Sequence, residues 1–478
     1  MGSLEPPDQI EPRDYQQDAV QAWLSNQGQG ILNMATGTGK TITSLLAASK
    51  LAELQNGRII LVVAAPYQHL VDQWVAELHE FGVMPIRAYQ SRSTWTDDLI
   101  ARITEYASGG RDIVAVVTTH ATFASDHFQD VIARGTGAES MLIADEVHHL
   151  GASHLREHLP DAVRARLGLS ATPERWYDEA GTNALTSYFS NGVVFEYGLK
   201  QAIEDGYLCE YYYVPHIISL TDDEEEDYLA LSKAIGRRMA SQKRDGGGET
   251  GAADLAEDDT LKQLLFKRAR LVGTAWNKLP QLRSLIERTT DIDHTLVYCS
   301  DGSIGDEEGD ESKRQLRAAT ELLGSDLGLR VHQFTYEEDQ ETRERLLEDF
   351  ESGVLQALVA IRCLDEGIDV PATKTAFLLA SSSNPRQFVQ RRGRILRPHK
   401  TKKYAVIHDF IVAPPRSVRS PSGESVFDVE RNLIKKELGR VSTFAAAAKN
   451  HPDASLQRIP TSPESLSKLK QDFNLLDM

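Results

Sequence analysis

The segment Met34-Ala35-Thr36-Gly37-Thr38-Gly39-Lys40-Thr41 follows a short apolar run and opens a helical pattern. A glycine-bearing loop in that setting lets backbone N–H groups approach phosphate oxygens at a helix N-terminus. Thr36, Gly37, Thr38 and Gly39 would line the cradle. Lys40 would neutralise β- and γ-phosphate charge, and the Thr41 hydroxyl would ligate Mg²⁺. The full pattern begins with glycine, where this chain has Met34. About 100 residues on, Asp145-Glu146-Val147-His148 ends the apolar run that begins at Met141. An aspartate at a strand's carboxyl end can hold Mg²⁺ opposite the loop threonine, and the next glutamate can orient or deprotonate a water. A third group lies far downstream: Gln390-Arg391-Arg392-Gly393-Arg394-Ile395-Leu396-Arg397. On a helix Arg394 and Arg397 share a face, and two guanidinium groups there could stabilise charge on a transferring phosphoryl group. A solvated basic face, or one that touches nucleic acid, has the same composition.

Taken together, these segments resemble the conserved motifs of superfamily 2 helicases. The loop is similar to motif I and Asp145–His148 to the DExH form of motif II. Leu169-Ser170-Ala171-Thr172-Pro173 resembles motif III, Gly367-Ile368-Asp369 with Val370-Pro371 motif V, and Gln390–Arg397 motif VI. Pro12-Arg13-Asp14-Tyr15-Gln16 resembles the adenine-reading segment of DExH proteins. The resemblance covers about residues 12–398 in the right order.

From it follow ATP and Mg²⁺ as ligands, with Arg13, Gln16, Gly367 and Asp369 also at the nucleotide. Glu146, Gln390, Arg394 and Arg397 become the catalytic set, Thr41 and Asp145 the metal ligands, and His148, Ser170 and Thr172 the relay to nucleic acid. Pro66–Trp74 resembles motif Ia, and Thr118-Thr119-His120 sits where motif Ib-like contacts fall. Trp74 itself lies on the apolar face of its helix and reads as core. The group it most resembles holds type III restriction motor subunits and excision-repair helicases.

The elements that must position these residues alternate in type. Ile31–Met34, 58–65, Asp112–Thr119, 141–146 and 167–172 read as buried parallel strands with helical patterns between them. A second set follows at 295–299, 329–334, 356–361, 375–380 and 403–407. The fold class expected is α/β, with two tandem RecA-like P-loop lobes, each a mostly parallel sheet flanked by helices. The expected division is 1–215 for the first lobe, 216–264 for an acidic, partly flexible connector, 265–412 for the second lobe and 413–478 for a helical, polar tail. Within the tail, Val426–Leu438 reads as an amphipathic helix. An acid pair there, Asp428 and Glu430 with Lys435, does not make a nuclease; any cutting would need a partner protein.

The net charge of −18 at first opposes a nucleic-acid partner. Sixteen acids, however, sit in Asp222–Asp227, Asp254–Asp259 and Asp301–Glu311, none of which contains Lys or Arg, so the remainder is near neutral. These runs read as solvated loops. No apolar run reaches the ~18 residues of a membrane span. The N-terminus lacks a secretory pattern, and three widely spaced cysteines give no disulfide framework. A cytoplasmic chain without a membrane partner is expected.

The function expected is an ATP-dependent DNA helicase or translocase, with DNA favoured over RNA. It could be the motor of a restriction or repair system whose partner supplies nuclease or target recognition. The rivals are an RNA helicase, and a nucleotide-dependent nucleic-acid-binding switch with little turnover.

Overall fold

The computed structural model describes residues 3–475 apart from 136, 138, 175–177, 246–257, 301–309, 336, 362–369, 380–388, 390–391, 420–423 and 451–465. The chain divides into two compact units, Met1–Asp205 and Gly206–Met478.

The first unit is built on a seven-stranded sheet. Its strands are β1 (Gln29–Met34), β2 (Ile59–Ala65), β3 (Ile86–Ala88), β4 (Ile113–Thr119), β5 (Ser140–Ala144), β6 (Ala165–Ser170) and β7 (Val193–Tyr197). Their order across the sheet is β3-β4-β2-β5-β6-β1-β7, with every pairing parallel. Parallel strands need crossovers, and helices such as Lys40–Leu54, Gln68–Glu80 and Thr96–Ala107 supply them. Helices on both faces explain why β2 is buried at all seven positions and reads as an unbroken apolar run. The five strands expected here are present. The two that composition did not indicate, β3 and β7, are the edge strands. β3 has three residues, too few for a period, and β7 is half-exposed with polar Glu196 in it. Short edges of this kind resist pairing with other chains.

The second unit holds β8 (Glu210–Ile218), β9 (Thr295–Tyr298), β10 (Val331–Phe334), β11 (Ala357–Ala360), β12 (Thr375–Leu378) and β13 (Tyr404–Val412). The order is β10-β11-β9-β12-β13-β8, again parallel throughout. Each unit is thus a parallel α/β sheet, the architecture of a RecA-like lobe. β8 pairs with β13 over nine residues, from Glu210–Tyr404 to Ile218–Val412. The chain therefore changes sheets after Asp205, earlier than the boundary expected at residue 215. Pro215 lies within β8 and weakens its strand signal. It is tolerated because β8 is an edge strand, where one missing donor leaves no ladder partner orphaned.

The acidic run Asp222–Asp227, expected as a loop, is instead the first part of the helix Asp222–Asp245. Four acids in its first turn favour the positive end of the helix dipole. Its start carries a capping box: the Thr221 N–H donates to the Glu224 carboxylate (2.9 Å) and the Glu224 N–H to the Thr221 hydroxyl (3.4 Å). Asp258, in the second acidic run, caps the helix Asp259–Thr274 through the Leu261 N–H (3.1 Å). Of the third run, Asp310 and Glu311 begin the helix Asp310–Glu321, while 301–309 lie outside the described residues.

The tail forms the helix Glu424–Ala445, which packs on Asp222–Asp245 and β8. Glu430 is fully buried there. It accepts hydrogen bonds from Arg268 (2.9 Å) and Tyr228, both on the neighbouring helices. Its two oxygens thus tie three helices together, and among the described residues no acidic or histidine cluster could hold a metal. Glu430→Ala should therefore cost the second unit about 3–5 kcal/mol by stranding the Arg268 charge. Chemical denaturation followed through the second unit's unfolding checks this, and a loss under 1 kcal/mol would show the cluster is not structural.

Candidate nucleotide site at the carboxyl edge of the first sheet

Strands β5, β6 and β1 are adjacent, and in a parallel sheet their carboxyl ends emerge at one edge. Ligands of open α/β sheets bind outside that edge. β1 delivers the loop from Met34, β5 delivers Asp145 and Glu146, and β6, between them, ends at Ser170. Register fixes the alignment: Asn33 lies opposite Ser170, and Ala144 opposite Gly168.

Gly37 and Gly39 have φ of 88° and 78°, values that favour glycine. Met34 stands where the phosphate-loop pattern has its first glycine. It is the last residue of β1, has no positive φ and is fully buried, so this position needs an apolar side chain. The loop is pinned from several sides. Thr38 donates its hydroxyl to the Ala35 carbonyl (2.7 Å), the Ala35 N–H donates to the Tyr197 carbonyl (2.9 Å), and Tyr15 donates its hydroxyl to the Thr38 carbonyl (2.6 Å). Tyr15 also stacks on Tyr197, with centroids 4.0 Å apart and planes 5° from parallel. Lys40 donates to the Met34 carbonyl (3.3 Å), curling over the loop that it closes. Thr41 lies in the first turn of the helix Lys40–Leu54. The Thr36 hydroxyl is buried without a hydrogen-bond partner, a polar atom on the loop available to a ligand.

Gln16 is buried beside this loop. Its carbonyl oxygen accepts from the Arg13 N–H (3.0 Å), and its amide reaches the Gly39 carbonyl (3.5 Å). Arg13 donates to the Tyr15 hydroxyl (3.0 Å). Gln16 is therefore brought to the loop directly, and Arg13 is tied to it through Tyr15.

Asp145 accepts hydrogen bonds from the Trp74 indole (2.9 Å) and the Glu146 N–H (2.9 Å). Burial pushes its carboxyl above the ordinary range, against the Trp74 hydrogen bond and the nearby Lys40 charge. Trp74 is buried as expected of a core residue, yet its N–H also orients this carboxylate. No pattern in the sequence indicates that second role, since the partner lies 71 residues away.

Glu146 adopts φ 43°, ψ 52°, a left-handed conformation that costs a non-glycine residue on the order of 1–2 kcal/mol. The turn turns the chain from β5 into the short helix Val147–Gly151. His148 is buried, with Nδ1 at 3.4 Å from Glu146 Oε2 and 3.3 Å from the Ser170 hydroxyl. Ser170 in turn accepts from the Thr172 N–H (3.0 Å). Glu146, His148, Ser170 and Thr172 thus form one continuous polar chain.

In the second unit, Arg392–Ile395 is helical, Arg394 is buried and Arg397 half-buried. Arg392 faces inward: it donates to the Thr443 carbonyl (2.7 Å) and lies over the Phe444 ring at 5.0 Å. It is a packing residue, distinct from the pair singled out for charge. Gly367, Asp369 and Gln390 lie outside the described residues.

Residues 9–175 match the family described as type III restriction enzyme, res subunit, and residues 277–399 match the helicase conserved C-terminal domain. The chain is 26% identical over 415 residues to the DNA 3'-5' translocase XPB2 of Sulfurisphaera tokodaii, covering 84% of this chain and 82% of that one. It is 26% identical over 394 residues to the DNA 3'-5' helicase XPB of Kineococcus radiotolerans, where it spans 81% of its own length and 57% of the relative's. In fold it is similar to the ATP-dependent Type ISP restriction-modification enzyme LlaBIII bound to DNA (TM-score 0.60, 17% identity, 98% of this chain and 32% of that one). It is also similar to the helicase domain of Pyrococcus furiosus Hef (TM-score 0.53, 14% identity, 87% and 98%). Motif order, two parallel sheets and both family matches agree: the chain is a member of the superfamily 2 helicases, in the group that includes type III restriction motor subunits and excision-repair helicases.

Proposed function

We propose that this helicase hydrolyses ATP with Mg²⁺ at the carboxyl edge of its first sheet and uses the cycle to move on DNA. The observation that carries the reading is the convergence of Lys40 and Thr41, Asp145 and Glu146, and Ser170 on the ends of three adjacent strands. The backbone of Thr36–Thr41 holds the phosphates and Lys40 answers their charge. The oxygen-only donors, the Thr41 hydroxyl and the Asp145 carboxylate, fit Mg²⁺, a hard cation that neutralises phosphate charge when bound. Asp145, partly withdrawn from water with Lys40 nearby, gains from such a cation. Glu146 orients the attacking water and takes its proton. Gln16 and Arg13 hold the base end of the nucleotide. Arg394 and Arg397, with Gln390, Gly367 and Asp369, are the second unit's candidates for answering phosphate charge, as the family resemblance implies.

His148 lies within reach of both Glu146 and Ser170, so a shift at the water-orienting carboxylate is felt at Ser170 and Thr172. That chain is the proposed relay to nucleic acid. DNA is favoured because the relatives carry DNA translocase and helicase in their names. Service in a restriction or repair complex, with a partner that cuts or selects the target, is the corresponding proposal for its biological setting. Among the described residues no helix is long and apolar enough to cross a membrane. Cys209 and Cys299 are free thiols, in keeping with a cytoplasmic setting.

ATPase activity titrated with single-stranded DNA, duplex DNA and RNA tests the reading. DNA should stimulate turnover most; equal turnover with and without any nucleic acid would sink it. Glu146→Gln should keep ATP binding while hydrolysis falls at least about 10²-fold, and Lys40→Ala should abolish both. Parent-like hydrolysis by Glu146→Gln would remove the glutamate from its role.

Arg394→Ala and Arg397→Ala should each lower kcat, by up to about 10³-fold, far more than they weaken ATP binding, because fingers act on charge that develops in the transition state. Steady-state kinetics beside nucleotide-binding titrations separates the two. Weakened binding with unchanged kcat would make them ground-state ligands.

Trp74→Phe keeps the ring's packing but deletes the N–H that orients Asp145. Loss of a partner behind a metal ligand typically costs 10–100-fold in metal affinity. The Mg²⁺ concentration for half-maximal ATPase should rise by about that factor with the fold intact by circular dichroism. An unchanged Mg²⁺ dependence would mean that Trp74 is core alone.

A further inference from the structure

The arginine segment of the second unit ends in a way that its own backbone cannot complete. Arg392–Ile395 is helical, and the Leu396 N–H donates to the Arg392 carbonyl (3.1 Å). Pro398 then stops the helix, since it has no N–H to continue the ladder. The last carbonyls of a helix need donors from elsewhere, and this end is buried from Arg392 to Leu396, away from water. Two donors arrive from other parts of the chain. The Cys209 N–H, just before β8, donates to the Leu396 carbonyl (2.8 Å). The Lys402 ammonium donates to the Ile395 carbonyl (2.5 Å).

Lys402 is 9% exposed and reaches a second acceptor, the Thr373 carbonyl (3.1 Å). Thr373 lies two residues after Pro371, at the exit of the segment that resembles motif V. One cation therefore joins that exit to the last turn of the segment that resembles motif VI. Both acceptors are backbone carbonyls, so the lysine fixes main chain rather than neutralising a side chain. Burial pushes its pKa down to about 8, which the nearby Cys209 thiol opposes. The lysine is itself held in place. Its N–H donates to the His399 carbonyl (3.1 Å), and the His399 ring lies 2.7 Å from the Thr401 hydroxyl and 3.3 Å from the Glu351 carboxylate. β13 begins two residues later, at Tyr404.

From this geometry we infer that Lys402 is a positioning residue for ATP hydrolysis: by holding the Ile395 and Thr373 carbonyls, it fixes the backbone from which Arg394 and Arg397 extend. The inference rests on the reading of those two arginines as groups that answer developing phosphate charge. Ile395 directly follows Arg394 and stands two residues before Arg397, so the carbonyl that Lys402 grips belongs to the backbone that carries both. Arg392 holds the start of the same segment through the Thr443 carbonyl (2.7 Å), and Lys402 holds its end. A guanidinium stabilises transition-state charge only where it is placed before that charge develops. A misplacement of ~1 Å, even one caused far from the chemistry, can cost about 10²-fold in rate. Loss of the lysine should therefore act on turnover and leave the phosphate loop of the first unit, with its hold on ATP, as it is. A role in packing alone predicts a different pattern: lower stability, with hydrolysis falling only as the folded fraction falls.

The test uses the full chain in three forms beside the parent: Lys402→Met, which keeps an apolar stem and removes the donor; Arg394→Ala with Arg397→Ala; and all three changes together. Hydrolysis of radiolabelled ATP at saturation gives kcat, and titration with a non-hydrolysable ATP analogue gives affinity. Lys402→Met should lower kcat by about 10- to 100-fold, with the analogue's affinity and the circular dichroism spectrum of the parent. Added to the arginine pair, the same change should lower kcat by less than about twofold further, because a residue that acts through others loses its effect once they are gone. Lys402→Gln keeps an amide donor on a shorter stem and should retain more of kcat than Lys402→Met; it also serves as the variant if Lys402→Met does not fold. Parent-like kcat in Lys402→Met, with the arginine pair impaired, overturns the inference and leaves the arginine reading standing. An effect that multiplies in full with that of the arginine pair, or a loss of affinity as large as the loss of kcat, overturns it as well. If neither lysine variant folds, Lys402 is a structural residue and the inference falls. If the arginine pair leaves kcat unchanged, the arginine reading fails and the inference goes with it.

Discussion

A carboxylate drawn out of water must be answered by positive charge or by donors. At Asp145 the answer comes from three directions: the Trp74 indole, the Glu146 N–H and the charge of Lys40. Each arrives on a different element, and only a parallel sheet brings them to one place. Parallel strands point the same way, so the loop after β1 and the acids after β5 must share an edge, with β6 as a spacer of fixed width. Loss of that alignment would take the Lys40 charge away from Asp145 and leave the buried carboxylate to the Trp74 and Glu146 donors. The rest of the first unit works to hold it. Tyr15 anchors the loop from below, Tyr197 holds its start, and Gln16 lies against Gly39.

The second unit shows the same economy in a different place. Its charged interior lies within the core. Glu430 joins Arg268 and Tyr228 among the helices, and Asp409, within β13, joins Arg440 and Tyr213 of β8. Arg440 also reaches Glu437 at 2.6 Å. These groups are buried and paired with one another, so their burial speaks for fixing the positions of the elements that carry them. Net negative charge is similarly local. The run at Asp222–Asp227 serves a helix N-terminus, where it is favourable, instead of spreading across the surface.

What was legible in the sequence follows from range. The parallel strands in the middle of each sheet are buried on both faces, so β2, β4 and β5 announce themselves as apolar runs. The phosphate loop is legible because positive φ at Gly37 and Gly39 restricts the residue type. Three edge strands were not legible, since β3 is too short to show a period, β7 is half-exposed and β8 carries Pro215, whereas the edge strand β10 was read within the run 329–334. The helix at Asp222–Asp245 was masked by charge, although the capping pair Thr221 and Glu224 marked its start. In the candidate site, residues next to a motif were found and those that reach it from afar were not. Trp74 has the periodicity of a core residue, and its hydrogen bond to Asp145 adds nothing to that pattern. The stack of Tyr15 on Tyr197 joins residues far apart in the chain, with no signal in either neighbourhood. His120 is a third such case: it sits where motif Ib-like contacts were expected, and only the fold shows its ring buried.

The short helix Val147–Gly151 is where these features meet. It is only five residues long and begins at a glutamate in a left-handed conformation, so it has little internal hydrogen bonding to hold it. Its position is instead set by what its side chains touch. Val147 and Leu150 are buried in the core of the unit, and Val147 lies close against Gly168 of β6, where a Cβ would meet it at 3.1 Å, tighter than ordinary contact. His148 faces Glu146 and Ser170, while the next residue, His149, lines a cavity with Tyr67 and His120. Successive residues on a tight turn point in different directions, so one backbone segment carries both a contact to the Glu146 carboxylate and a wall of that cavity. With its apolar residues fixed, the turn has little room to absorb a displacement at one histidine without moving the other.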